Sequence, residues 1–181
     1  MASGLRTMQV KAADAGASVL ASLPDGRLVM AIDRLASTAN GTPLWIGATA
    51  GLSAAGRRGR LAAAEGVAAF SVASVLSNLL VKPLVHRDRP IRLGRGRGKR
   101  TSSFPSSHAS TSFAYASAVV GRWPVAGAPL LVAATAIAAS RVHASQHRIS
   151  EVAAGAVLGV VVGTGVHLAS AEWSARGRLG S

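Results

Sequence analysis

The chain has 181 residues, enough for one domain, and no cysteine, which excludes a disulfide framework and any thiolate metal site. Hydrophobic residues make up 49% and charged residues 15%; a soluble domain carries about 25% charged residues, so the shortfall points to a membrane protein. A net charge of +13, from 20 Lys and Arg against 7 Asp and Glu, fits a nucleic-acid binder or a membrane protein whose loops meet anionic headgroups, and the placement of the charges separates the two.

The N-terminus lacks the basic flank, apolar run and small-residue cleavage site of a signal peptide, so insertion is expected to use internal spans. Residues 1–38 form an N-terminal amphipathic segment. Pro24, Asp25 and Gly26 break it, and Leu28, Val29, Ile32 and Leu35 then recur at helical spacing against Arg27, Asp33 and Arg34. That pattern suits a helix lying in the membrane interface or serving as a sixth span.

Five apolar stretches follow, at about Pro43–Ala55, Leu61–Val81, Ala109–Gly121, Pro124–Ala139 and Ile149–Ala169. A span needs about 20 apolar residues. The second and fifth stretches meet this, and the others must borrow from their flanks. Five such runs with few acids are hard to cover with polar surface, which argues against buried helices of a soluble protein. Their Ala, Gly and Ser richness suits close helix packing in a bilayer. The expected fold is all-α: a polytopic membrane bundle of five transmembrane helices over residues 39–172, with a short polar tail at 173–181.

Charged and imidazole side chains are costly in a membrane protein, so their positions carry information. They gather at three places. The second stretch ends in Lys82, His86, Arg87, Asp88, Arg89 and Pro90. The third opens with Phe104, Pro105, Ser106, Ser107 and His108. The fourth and fifth meet at Ser140, Arg141, His143, His147, Arg148 and Glu151. If each apolar stretch crosses once, all three clusters share one membrane face. Lys82, Arg89 and Arg141 then converge as a pocket for a multiply charged anion, phosphate above all. His147 and Glu151, four apart, would stack on one helix face. The carboxylate could take one imidazole proton and leave the other nitrogen free to attack. His108 opens a helix, where backbone N–H groups favour an anion.

These residues resemble the type 2 phosphatidic acid phosphatase superfamily, which also includes the vanadium haloperoxidases. The family's Lys, six residues, Arg-Pro is matched by Lys82, Arg89 and Pro90. Its Pro-Ser-Gly-His appears as Pro105, Ser106, Ser107 and His108. Its Ser-Arg, five residues, His, three residues, Asp appears as Ser140, Arg141, His147 and Glu151. Ser107 departs from the family's Gly, and Glu151 from its Asp. The resemblance implies a membrane lipid phosphatase of the cell envelope, with His147 attacking phosphorus. Lys82, Arg89 and Arg141 would neutralise the phosphoryl oxygens, with Ser106 and the backbone near Ser107 as further donors. His108 would protonate the leaving oxygen and then activate water. No metal and no cofactor is implied. The expected partners are a lipid phosphate substrate and membrane lipids. A prenyl-linked phosphate, diphosphate or phosphosugar is the leading substrate, and a glycerophospholipid phosphate the second.

Other readings of the same residues are weaker. His143, His147 and Glu151 have metal-ligand spacing, but Arg141 and Arg148 beside them would repel a cation. The basic run at residues 92–100 lacks the interleaved aromatics of a nucleic-acid site, so no nucleic acid is expected. Glu65 is read as interfacial, and His167 has no assigned role. The competing class is a non-catalytic basic membrane adaptor, indifferent to the loss of His147.

Overall fold

A computed structural model describes residues 42–85, 102–144 and 146–179. The amphipathic segment at 1–38, the basic run at 92–100 and Arg89 lie outside the described residues.

Every described element is a helix. They run α1 (Thr42–Ala54), α2 (Gly56–Leu84), α3 (Ser107–Arg122), α4 (Pro124–His143) and α5 (Ile149–Leu179). Residues Leu76–Val81 of α2 are wound as a π-helix, with the Lys82 amide reaching back five residues to Ser77 O. The joints follow local chemistry. Between α1 and α2 the chain turns at Gly56, whose φ of 79° suits a residue without Cβ. Between α3 and α4 it turns at Trp123, and Pro124 occupies the first position of α4, where a missing N–H costs nothing.

Helix α3 is the hub, packed against α2, α4 and α5. Its contact with α5 is made by small residues. Gly155, Gly159 and Gly163 are spaced by four, and a Cβ added at each would fall 2.6, 2.4 and 2.3 Å from the carbonyl oxygens of Ser106, Ser110 and Ala114. Only glycine lets the two backbones approach this closely, the packing expected from the sequence's small residues. On the other side of α3, Trp45 and Leu52 of α1 join Ala62, Tyr115, Ala134 and Ile137 in the main apolar cluster. The Trp45 and Tyr115 rings lie 4.9 Å apart, and the Tyr115 hydroxyl shares a 2.8 Å hydrogen bond with Thr49.

The outside is apolar too. Val67, Val72, Val75, Leu79 and Leu80 on α2 and Val157, Val160, Val161 and Leu168 on α5 are exposed, a surface suited to lipid rather than water. Helix α2, helix α4 and Ile149–Arg176 of α5 are long and apolar enough to cross a membrane. The protein is a multi-pass membrane protein. The five stretches expected from the sequence are all helical, but α1 and α3 are short, at 13 and 16 residues. For α3 the reason is shelter. Wrapped by its neighbours, it carries Ser110 and Thr111, whose hydroxyls bond back to the carbonyls of Ser106 (3.0 Å) and Ser107 (2.9 Å). Helix α5 continues past residue 173 to Leu179, through the stretch read as a polar tail.

One polar cluster sits at the end away from the three motifs. Glu65, read from sequence as interfacial, is buried. It accepts hydrogen bonds from Arg122 Nε (3.0 Å) and pairs with His167 Nδ1 (3.0 Å). The cluster ties α2, α3 and α5 together and gives His167 a structural partner.

Candidate active site

The C-terminus of α2, the start of α3 and the α4–α5 junction meet at one end of the bundle, as the crossing argument requires. Arg141 is buried near the end of α4. Its carbonyl accepts the amides of Gln146 (3.0 Å) and His147 (3.3 Å), and its Nη1 donates to Gln146 Oε1 (3.2 Å). The short junction therefore brings Gln146 and His147 back to the helix end at Arg141.

His147 does not lie on a helix, contrary to the simple stacking argument. It precedes α5, and Glu151 is the third residue of that helix. The carboxylate reaches back over the helix start. Glu151 Oε2 accepts the Arg148 amide (3.1 Å) and pairs with His147 Nδ1 (3.1 Å). This is the backward half of a capping box, with the imidazole added as a further partner. Glu151 Oε1 accepts Ser103 Oγ (2.9 Å) and Arg148 Nη1 (3.5 Å). Both His147 and Glu151 are buried, and a buried carboxylate persists only when so supplied with donors. The break between α4 and α5 also removes the helical i, i+4, i+8 row that made His143 a metal-ligand candidate; His143 is exposed at the end of α4. Among the described residues no group of three His, Asp or Glu is placed to hold a metal ion.

The start of α3 is bound to this pair. The Ser106 amide donates to the Glu151 carbonyl (3.0 Å). Ser106 Oγ is buried and makes no hydrogen bond among the described residues. His108 stands in the first turn of α3, partly buried. From α2, Lys82 Nζ donates to Asn78 Oδ1 (2.7 Å) and Ser107 Oγ (2.5 Å), and Ser107 Oγ donates to Asn78 Oδ1 (2.9 Å).

Lys82, Ser106, Ser107, His108, Arg141, His147 and Glu151 thus stand on three segments joined by these hydrogen bonds, with Arg89 outside the described residues. Asn78, Ser103 and Gln146 were not picked out from sequence. Asn78 left a signal, a polar residue one turn before Lys82 in an apolar run. Ser103 and Gln146 left none, because their roles arise from loop geometry.

The bundle and its polar end define a multi-pass membrane protein with an oriented histidine beside cationic and hydroxyl groups. The chain belongs to the PAP2 superfamily, whose family model matches residues 62–174. Among solved structures it is similar to the first transmembrane PAP2-type phosphatidylglycerolphosphate phosphatase from Bacillus subtilis. The identity is 18% and the TM-score 0.69, over 93% of this chain and 87% of that one. None of the curated proteins matches the chain.

Proposed function

We propose that the chain is an integral-membrane lipid phosphatase that works through a phosphohistidine at His147. The observation that supports it best is the buried His147–Glu151 pair, with Nδ1 turned to the carboxylate. In that tautomer the lone pair is on Nε2, which attacks phosphorus in line. The bond from phosphorus to the lipid oxygen breaks, and His108 supplies the proton that the leaving oxygen needs. Water, deprotonated by His108, then displaces His147 and releases phosphate. Lys82 and Arg141, with Arg89 by its place in the motif, balance the charge on the equatorial oxygens. Three cations would take the part a metal ion plays elsewhere, so the reaction is read as metal-independent.

The pocket grips phosphate and leaves the lipid tail to the apolar flank of α2. A prenyl-linked phosphate, diphosphate or phosphosugar remains our first substrate class. The similarity to a phosphatidylglycerolphosphate phosphatase favours a glycerophospholipid phosphate as the second.

The test is phosphate release from a panel of both lipid classes by purified protein in EDTA. Wild type should release phosphate, vanadate should inhibit, and His147→Ala should be inactive without an acid-labile phosphoenzyme. Activity lost in EDTA and restored by a divalent ion would overturn the mechanism. A basic adaptor would give no release from any lipid.

A further inference from the structure

The π-helical end of α2 carries a residue that the mechanism above does not use. Asn78 lies in that segment, four residues before Lys82. Its Nδ2 donates to the Ser74 carbonyl one turn back (2.9 Å) and lies 3.4 Å from Ser74 Oγ. Its Oδ1 faces the opposite way and accepts from both Lys82 Nζ (2.7 Å) and Ser107 Oγ (2.9 Å). The amide orientation is fixed by chemistry. An ammonium has donors only, so the atom facing Lys82 must be the carbonyl oxygen. The Ser74 carbonyl in turn can take only the NH2 end.

Lysine needs such a guide. Its charge sits on a flexible four-carbon stem, unlike the rigid fork of arginine. A cation that stabilises a transferring phosphoryl group must be held at the right place before the reaction, because reorganising it during the reaction forfeits the gain. Asn78 does this from the same helix, one turn away. It also takes the hydroxyl of Ser107, the residue that departs from the family's Gly. That hydroxyl bridges α2 to the first turn of α3, so Asn78 joins the Lys82 segment to the phosphate-binding turn.

We propose that Asn78 is a positioning residue of the phosphate pocket, its side-chain carbonyl fixing the Lys82 ammonium and the Ser107 hydroxyl together. The proposal rests on the phosphatase reading above for its effect on turnover, and on geometry alone for its effect on anion binding. Asn78 acts mainly through Lys82, with Ser107 tying the pair to α3, so most of its contribution should be lost when Lys82 is removed.

The experiment is a double-mutant cycle on the full chain in detergent. Asn78→Ala and Asn78→Leu are each made in the wild-type and Lys82→Met backgrounds; two substitutions of different size guard against a local packing defect. Phosphate release and orthovanadate affinity by calorimetry are both measured. In the wild-type background each Asn78 variant should lose about ten-fold in kcat/KM and in vanadate affinity, the scale of one hydrogen bond to a charged group. In the Lys82→Met background the same change should cost less than about two-fold. Equal losses in both backgrounds would overturn the proposal and leave the phosphatase reading standing. Vanadate binding that depends on Asn78 only through Lys82, in a protein that releases no phosphate, would uphold the proposal and sink the phosphatase reading. No turnover, with vanadate binding absent or indifferent to Asn78, would sink both.

Discussion

A carboxylate buried at the end of a membrane bundle must do something for its place, and Glu151 does several things at once. It caps the start of α5 through the Arg148 amide, accepts Ser103 and holds His147 Nδ1. From the third helical residue its side chain reaches back past the helix start to the Arg148 amide and His147. On the proposed mechanism, Glu151→Gln keeps the shape but removes the charge that would stabilise a forming imidazolium. Turnover should drop by about 100-fold or more, on the scale of an acid–base partner, with wild-type elution in detergent. Glu151→Asp restores the family residue but shortens the arm in a site fitted to glutamate, so partial activity is expected. Near-normal turnover in Glu151→Gln would make it a helix cap and nothing more. The residue pair itself was legible from its four-residue spacing. The geometry was not, because spacing on a helix and spacing across a helix start look the same in sequence. Ser103 was illegible for a related reason, since a loop serine carries no periodicity.

At the scale of elements, the bundle turns on the α3–α5 contact. The three glycines facing α3 come from a helix that also carries Gly165, where an added Cβ would meet nothing within 4 Å. Composition could suggest close packing but could not say which glycines made it. Two substitutions separate them. Gly159→Val would drive a side chain into Ser110 O, Phe113 and Ala114. A loss of about 1–3 kcal/mol is the usual scale of overpacking, and the rigid backbone opposite places this site at the upper end. Gly165→Ala should be neutral or slightly stabilising, since alanine is the better helix former by about 1 kcal/mol. Melting in detergent, followed by a buried-tryptophan signal from Trp45, would read both. Equal tolerance at the two positions would mean that α3 and α5 are not in backbone contact. Because α3 delivers Ser106, Ser107 and His108 while α5 delivers Glu151, the same glycines also set the width of the site. The π-helical turn of α2 was beyond sequence reading, for nothing in Leu76–Val81 distinguishes it from an ordinary turn.

Across the whole molecule, the two polar ends have different tasks. One gathers the motif residues. The other holds Glu65, Arg122 and His167 near the α3–α4 joint, with Arg58 donating to the Arg122 carbonyl and lying over the Trp123 ring. Helix α2 runs from Gly56 to Leu84, and the step from Arg60 to Lys82 rises roughly 33 Å at about 1.5 Å per residue, just beyond the roughly 30 Å hydrocarbon core. The ends should therefore face opposite aqueous compartments. The chain has no cysteine, so single introduced thiols report cleanly. Arg60 is exposed near the start of α2 and His143 is exposed at the end of α4; neither belongs to the site. Gly59, though adjacent, is unsuitable, because a Cβ there would strike Leu52 O at 2.0 Å. In intact cells a membrane-impermeant maleimide should label only one of Arg60→Cys and His143→Cys, and the other only after permeabilisation. Which one reacts from outside also fixes the side from which the proposed phosphate pocket is reached. Labelling of both from the same side would mean that α2 and α4 do not carry the chain across the membrane in the order that brings Lys82, Arg141 and His147 to one face.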